Sequence, residues 1–126
     1  MKVIDPCKTV TGTILNMVPK PDGDYHIQVK LDPGQRDLLN ARNRSRNRGQ
    51  HGYLVIEPIC QKAPTQATAK QGGPCRGFRQ NLPALATVRA NLKKKKGTHV
   101  EITGAFITDA EHGWDEIHPI TSIGIK

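Results

Sequence analysis

Along the chain, apolar and polar positions change rhythm several times, and each change marks an element. Thr9 to Val18 (TVTGTILNMV) mixes apolar and polar positions in a strand-like way. The segment Pro19-Lys20-Pro21-Asp22-Gly23-Asp24 follows it. There proline fixes φ and Asp-Gly supplies the left-handed residue of a tight hairpin. From Tyr25 to Leu31 the alternation is strict: Ile27, Val29 and Leu31 take one face, and His26, Gln28 and Lys30 the other. That period of two predicts a half-buried strand, antiparallel to the first.

Apolar content then collapses from Asp32 to Gly52, where Asn, Arg, Gln and Ser dominate. Leu38-Leu39 would anchor a short helical turn, and Asn43 to Gln50 reads as an exposed, mobile loop. Asn43-Arg44-Ser45 is a glycosylation sequon by pattern. Tyr53 to Ile59 (YLVIEPI) predicts a third strand, with Pro58 close to its end because proline cannot donate to a ladder. Leu82, Leu85, Val88 and Leu92 recur every three or four residues and predict a short helix. Lys93 to Lys96 would close it with cations at the negative end of its dipole, and Gly97 would be its C-cap. Thr98 to Thr108 alternates again as a fourth strand, Asp109 to Gly113 turns the chain, and Trp114 to Ile125 forms a fifth.

Three strands, a helix and two more strands predict an all-β domain with one short helix. The architecture that fits this order is a five-stranded OB-type barrel. An open sandwich usually needs about seven strands. With 126 residues the chain has room for a single such domain over 1–126, with long loops at 33–52 and 60–81. Aromatic residues make up 4% of it, so the core must rest on Ile, Val and Leu. No apolar run approaches the roughly 20 residues of a membrane span, and the first residues are too polar for a signal peptide. The expectation is a soluble chain, cytoplasmic as it stands, or extracellular or periplasmic if a leader has been removed.

Charge adds a second layer. The formal net charge is +8. Arg42, Arg44, Arg46 and Arg48 with Lys93, Lys94, Lys95 and Lys96 account for all of that excess. Two such local clusters attract phosphate backbones, with strong salt dependence; they are also what a solvated loop and helix end look like. Cys7, Cys60 and Cys75 form no C-x-x-C pair, so a structural zinc site is not indicated. Cys60 and Cys75 bracket a loop that a disulfide would close, or all three thiols remain reduced; spacing alone leaves both open.

Ligand-type side chains concentrate in Asp22-Gly23-Asp24-Tyr25-His26 and in His112-Gly113-Trp114-Asp115-Glu116-Ile117-His118-Pro119. Residues two apart on a strand share a face, so Trp114, Glu116 and His118 project together. In the OB order the third strand lies between the second and fifth. His26, Glu57, Glu116 and His118 are therefore expected on one outer face, the one OB-folds use for ligands. His26, Trp114, Glu116 and His118 form the candidate ligand face. His26, Glu57, Glu116 and His118 are the candidate metal ligands, two imidazoles with carboxylate being a common shell for zinc or non-haem iron. A His–Glu pair would equally serve as base and acid in hydrolysis. The packing alternatives are plain: Asp22-Gly23-Asp24 as a simple hairpin turn, Trp114 as a core residue, and Glu116 as only the hydrogen-bond partner of His118.

Five segments carry a resemblance. They are Cys7 to Thr13 (CKTVTGT), Asp22 to His26, Leu54 to Cys60 (LVIEPIC), Gly97 to Gly104 (GTHVEITG) and His112 to Ile120 (HGWDEIHPI). Together they resemble an uncharacterised family of small prokaryotic domains, many of them exported behind a leader. The resemblance implies a Cys60–Cys75 disulfide and carries over no activity. Three functions follow as expectations. The first is a binding module for a polyanion such as single-stranded nucleic acid. The second is a metal-dependent hydrolase or nuclease on the His/Glu face. The third is a structural or interaction module of an exported system.

Overall fold

The computed structural model describes residues 2–46, 49–61 and 80–126. The fold is mostly β, as the alternation predicts. Five strands, β1 (Lys2–Pro19), β2 (Tyr25–Leu31), β3 (Leu54–Ile56), β4 (Thr98–Thr108) and β5 (Asp115–Ile125), close in a ring in the order β1-β2-β3-β5-β4. All neighbours are antiparallel except β3 and β5, which run parallel. Besides strand, the described residues hold a 3-10 turn at Arg36–Leu38, a four-residue helix α1 (Ala41–Arg44) and a ten-residue helix α2 (Ala84–Lys93). None of the helices among them is long and apolar enough to cross a membrane.

The interior is built from the alternating apolar positions. Val10 and Ile14 of β1, Ile27 and Val29 of β2, Leu54 and Ile56 of β3, Val100 and Ile102 of β4, and Ile117 and Ile120 of β5 are all buried. Leu85 and Val88 of α2 plug one end, with Leu82 and Leu92 packed beside them. A fully buried aliphatic side chain contributes about 1.5–3 kcal/mol, so this cluster dominates the stability of a chain so poor in aromatics. Backbones approach closely at Gly104, where β4 is irregular against β5. A Cβ there would stand 2.4 Å from the Pro119 carbonyl oxygen.

Four expectations change. β1 starts seven residues before Thr9, because its pairing with β4 runs back to Lys2 opposite Thr108. β3 is three residues long rather than seven: the Tyr53 N–H turns to Gln50, and Pro58 has no N–H to give. The C-cap of α2 is Lys94, followed by Lys95 at φ 60°, not Gly97. Gly97 has a different task, since a Cβ on it would lie 2.6 Å from the Thr13 methyl of β1.

The largest difference concerns Asn43 to Gln50. The start of this segment is docked rather than free. Asn40 caps α1 through a reciprocal pair, its side chain accepting from the Asn43 N–H while the Asn43 side chain accepts from the Asn40 N–H. Asn43 is fully buried, its amide donating to the Tyr53 and Asp115 carbonyls and its oxygen accepting from the Asp115 N–H. The sequon asparagine is thus inaccessible in the fold. Gln50, at the far end of the segment, is also buried.

Candidate functional site

Register alone brings the central residues together. Ile27 pairs with Ile56 and Ile56 with Ile117. One step along, His26, Glu57 and His118 therefore stand side by side on the outer face of three adjacent strands. The Glu57 N–H donates to the Ile117 carbonyl at 2.9 Å and continues the parallel pairing past β3. The neighbouring outer row is Gln28, Val55 and Glu116. It is roofed by the docked segment: Gln50 bonds Gln28 and His26, and Val55 is fully buried.

Glu57 is the hub. Its side chain is 5% exposed and meets three basic groups. Lys20 Nζ donates to both carboxylate oxygens, at 3.3 and 3.2 Å. His26 Nδ1 lies 3.5 Å from one oxygen and His118 Nδ1 3.5 Å from the other. A second buried carboxylate, Glu116, takes the Trp114 indole N–H at 2.9 Å on one oxygen and His118 Nδ1 at 3.1 Å on the other. Such a chain fixes the imidazole tautomer, because the proton on Nδ1 leaves the Nε2 lone pair. Asp24, at the end of the hairpin turn, accepts from the Cys60 N–H at 2.8 Å. Cys60 itself is buried, and its expected partner Cys75 lies outside the described residues.

The electrostatics follow the contacts. Burial pushes the Glu57 carboxyl up, but the His26 hydrogen bond and the charges of Lys20 and His118 outweigh it and hold the group below its usual range. His26 is raised by its bond to Glu57, against burial, with help from Gln50. For His118 burial pulls down, and the Glu116 bond with the Glu57 charge more than restores it. Lys20 is raised in the same manner, Glu57 outweighing the cost of burial. Asp24 is raised by burial.

The group that the geometry gathers for an ion shares Glu57 and His118 with the expected set. His26 turns both ring nitrogens toward oxygens, Nδ1 to Glu57 at 3.5 Å and Nε2 to Gln50 at 3.1 Å. Among the described residues, Asp24, Glu57 and His118 form the group whose ligand atoms all lie within 4.8 Å of one another. Asp24 belongs to the acidic turn that the sequence singles out, yet nothing in periodicity assigns it to this group. Lys20 and Gln50 carry no sequence signal for the site either, whereas Gln28 shares the alternating face of His26.

At the rim, the turn between β4 and β5 stacks His112 on Trp114, ring centroids 4.2 Å apart and planes 8° from parallel. Asp109 holds the His112 ring at 2.8 Å. Trp114 is buried and meets His26 edge-on from the other side, so the ring offered to solvent is His112. Asn40 donates to the Gly113 carbonyl at 2.8 Å, which sets α1 beside this turn with the exposed Arg42 next to Gly113, while the exposed Arg44 donates to the Arg36 carbonyl at 3.4 Å. Arg46 is exposed too, while Arg48 lies outside the described residues. Lys93 to Lys96 are exposed near the opposite end of β4, roughly 30 Å away at about 3.3 Å per residue. No protein-family model, curated protein or solved structure matches the chain.

The shifts give a pH signature. Glu57, lowered, stabilises the fold above the ordinary 4.5 of an unfolded glutamate, and that contribution disappears as pH falls through its folded value. His26 and His118, raised, stabilise below the ordinary 6.5 and lose that contribution as pH rises through their folded values. Asp24, raised from 3.8, works against Glu57, its contribution being lost as pH rises from 3.8 through its folded value. Urea unfolding across pH is expected to give greatest stability between about 4.5 and 6.5. A His26→Gln/His118→Gln variant should lose the decline above that window; an unchanged pH profile contradicts the assignment.

Proposed function

We propose that this chain is a small OB-like binding module for a polyanion such as single-stranded nucleic acid, bound along the rim that joins α1 to the β4–β5 turn. The ring order β1-β2-β3-β5-β4, with α2 between β3 and β4, supports the OB-like reading. OB-folds take oligonucleotides on the face of strands 2 and 3 and the loops between strands 1 and 2 and strands 4 and 5. In this chain those places hold His26, Lys20 and the His112–Trp114 stack.

The observation that carries the reading is the docking of α1. Asn43 locks the segment to β3 and β5 through three hydrogen bonds. Arg42 and Arg44 are therefore presented from a fixed ledge and not from a solvated tail. Pre-ordered cations lose less entropy on binding than a free loop does. An exposed imidazole backed by indole offers a base a flat partner beside phosphate-binding charge.

A second reading rests on a different observation, the Asp24–Glu57–His118 group. Two carboxylates and an imidazole suit zinc or a similar divalent ion. The Glu116–His118 bond is the outer contact that metal-bound histidines commonly make, and a bound ion would serve a hydrolase or nuclease. Lys20 would have to yield its place on Glu57.

Anisotropy of a labelled oligothymidylate tests the first reading. With about three phosphates neutralised by Arg42, Arg44 and Arg46, affinity should fall roughly twenty-fold between about 50 and 200 mM salt. An R42A/R44A/R46A variant should remove most of the binding and flatten the slope, whereas replacing Lys93 to Lys96 should cost less. Absence of binding at low salt, or binding indifferent to the arginines, sinks the proposal. For the second reading, zinc-loaded protein freed of excess ion should carry one equivalent by elemental analysis, and His118→Ala should carry none. Zinc content equal in both would dismiss it.

A further inference from the structure

Between the β1–β2 hairpin and the C-terminal half of α2 lies an open pocket of about 320 Å³, walled by Met17, Pro19, Tyr25, Arg89, Leu92 and Lys93. It sits at the mouth of the ring that α2 plugs. Tyr25 shares the inward phase of Ile27 on β2, so the pocket faces away from the His26–Glu57–His118 row. The volume is at the lower end for small-molecule sites, roughly 300–1,000 Å³, and ring mouths are among their usual places.

The lining is sorted chemically. Met17, Pro19, Tyr25 and Leu92 offer carbon surface; Met17, Tyr25 and Leu92 are only half-buried and pack onto the edge of the core. Arg89 and Lys93 supply two positive charges, and among the described residues the lining contains no carboxylate to neutralise them. Arg89 is held in place, its guanidinium carbon 5.6 Å from the Tyr25 ring centroid and Nη2 donating to the Tyr25 hydroxyl at 3.4 Å. The adjacent Lys94, Lys95 and Lys96 deepen the positive potential. A neutral apolar ligand would leave these cations unused, and a wholly polar one would leave the apolar floor wet.

We infer that this pocket binds a small amphipathic anion, an apolar body with a single carboxylate head. The body lies against Met17 and Leu92, and the head meets the Arg89 guanidinium, whose planar fork matches a carboxylate, with Lys93 beside it. This site is independent of the rim and of the buried row.

Octanoate and octanol, which share an apolar chain and differ in charge, are the probes. Each is titrated below its aggregation limit into the full chain, with backbone amide shifts as the readout. Octanoate should produce saturable shifts centred on Tyr25, Leu92 and Lys93, with octanol about tenfold weaker or more, the value of one charge-assisted bond. An R89Q/K93Q variant should bring octanoate down to the affinity of octanol, with its thermal midpoint lowered only slightly, because both residues are exposed and only the Arg89 contact with Tyr25 is lost. Equal affinities for the two probes, shifts centred elsewhere, or a variant that binds octanoate as the parent does, would each overturn the inference.

Discussion

A carboxylate taken out of water must be bonded and compensated or it will not stay ionised, and Glu57 imposes that condition on a whole face of this protein. Its side chain is almost fully covered, and Lys20, His26 and His118 all converge on its two oxygens. The convergence depends on register. A slip of one residue between β2 and β3 would turn His26 inward and Ile27 outward, costing the core an isoleucine and Glu57 a donor together. The apolar row inside and the charged row outside therefore specify the same alignment, which is how local and global preferences come to agree.

The same rule governs the polar segment between β2 and β3. Its asparagines and glutamines contribute no apolar surface, yet Asn43 and Gln50 are buried because every group they bring finds a partner. Among the described residues no buried side-chain nitrogen or oxygen lacks one. Removing one member of such a network leaves the others desolvated and unpaired, at about 1–3 kcal/mol each. Burying this segment roofs half of the outer face and leaves the other half, with Lys20, His26 and His118, part-open. It also fixes Arg42 beside the His112–Trp114 turn, so the proposed binding surface would share its bonds with the fold.

Much of this is legible in the sequence where a period carries it. Strict alternation places Tyr25–Leu31 and Thr98–Thr108 at their observed bounds, and the three-four spacing marks α2 to within two residues. The strand order that brings His26, Glu57 and His118 together follows from counting elements. Long-range bonding is not legible. Nothing local distinguishes the buried Asn43 from exposed residues around it, since polar side chains turn inward only where distant carbonyls await them. Periodicity likewise groups Glu116 with the metal candidates but cannot reveal that Trp114 and His118 already occupy its oxygens. Asp24 reaches the site through a turn, where neither period applies.

The bonding of this whole face follows from Glu57 remaining ionised. Proton NMR titration of the His26 and His118 rings, in the parent and in Glu57→Gln, tests that directly. Both imidazoles should titrate above the ordinary 6.5 in the parent. In the variant both should fall, His26 further than His118, which keeps its bond to Glu116. Parent values at or below 6.5, or values indifferent to the loss of the Glu57 charge, would contradict it.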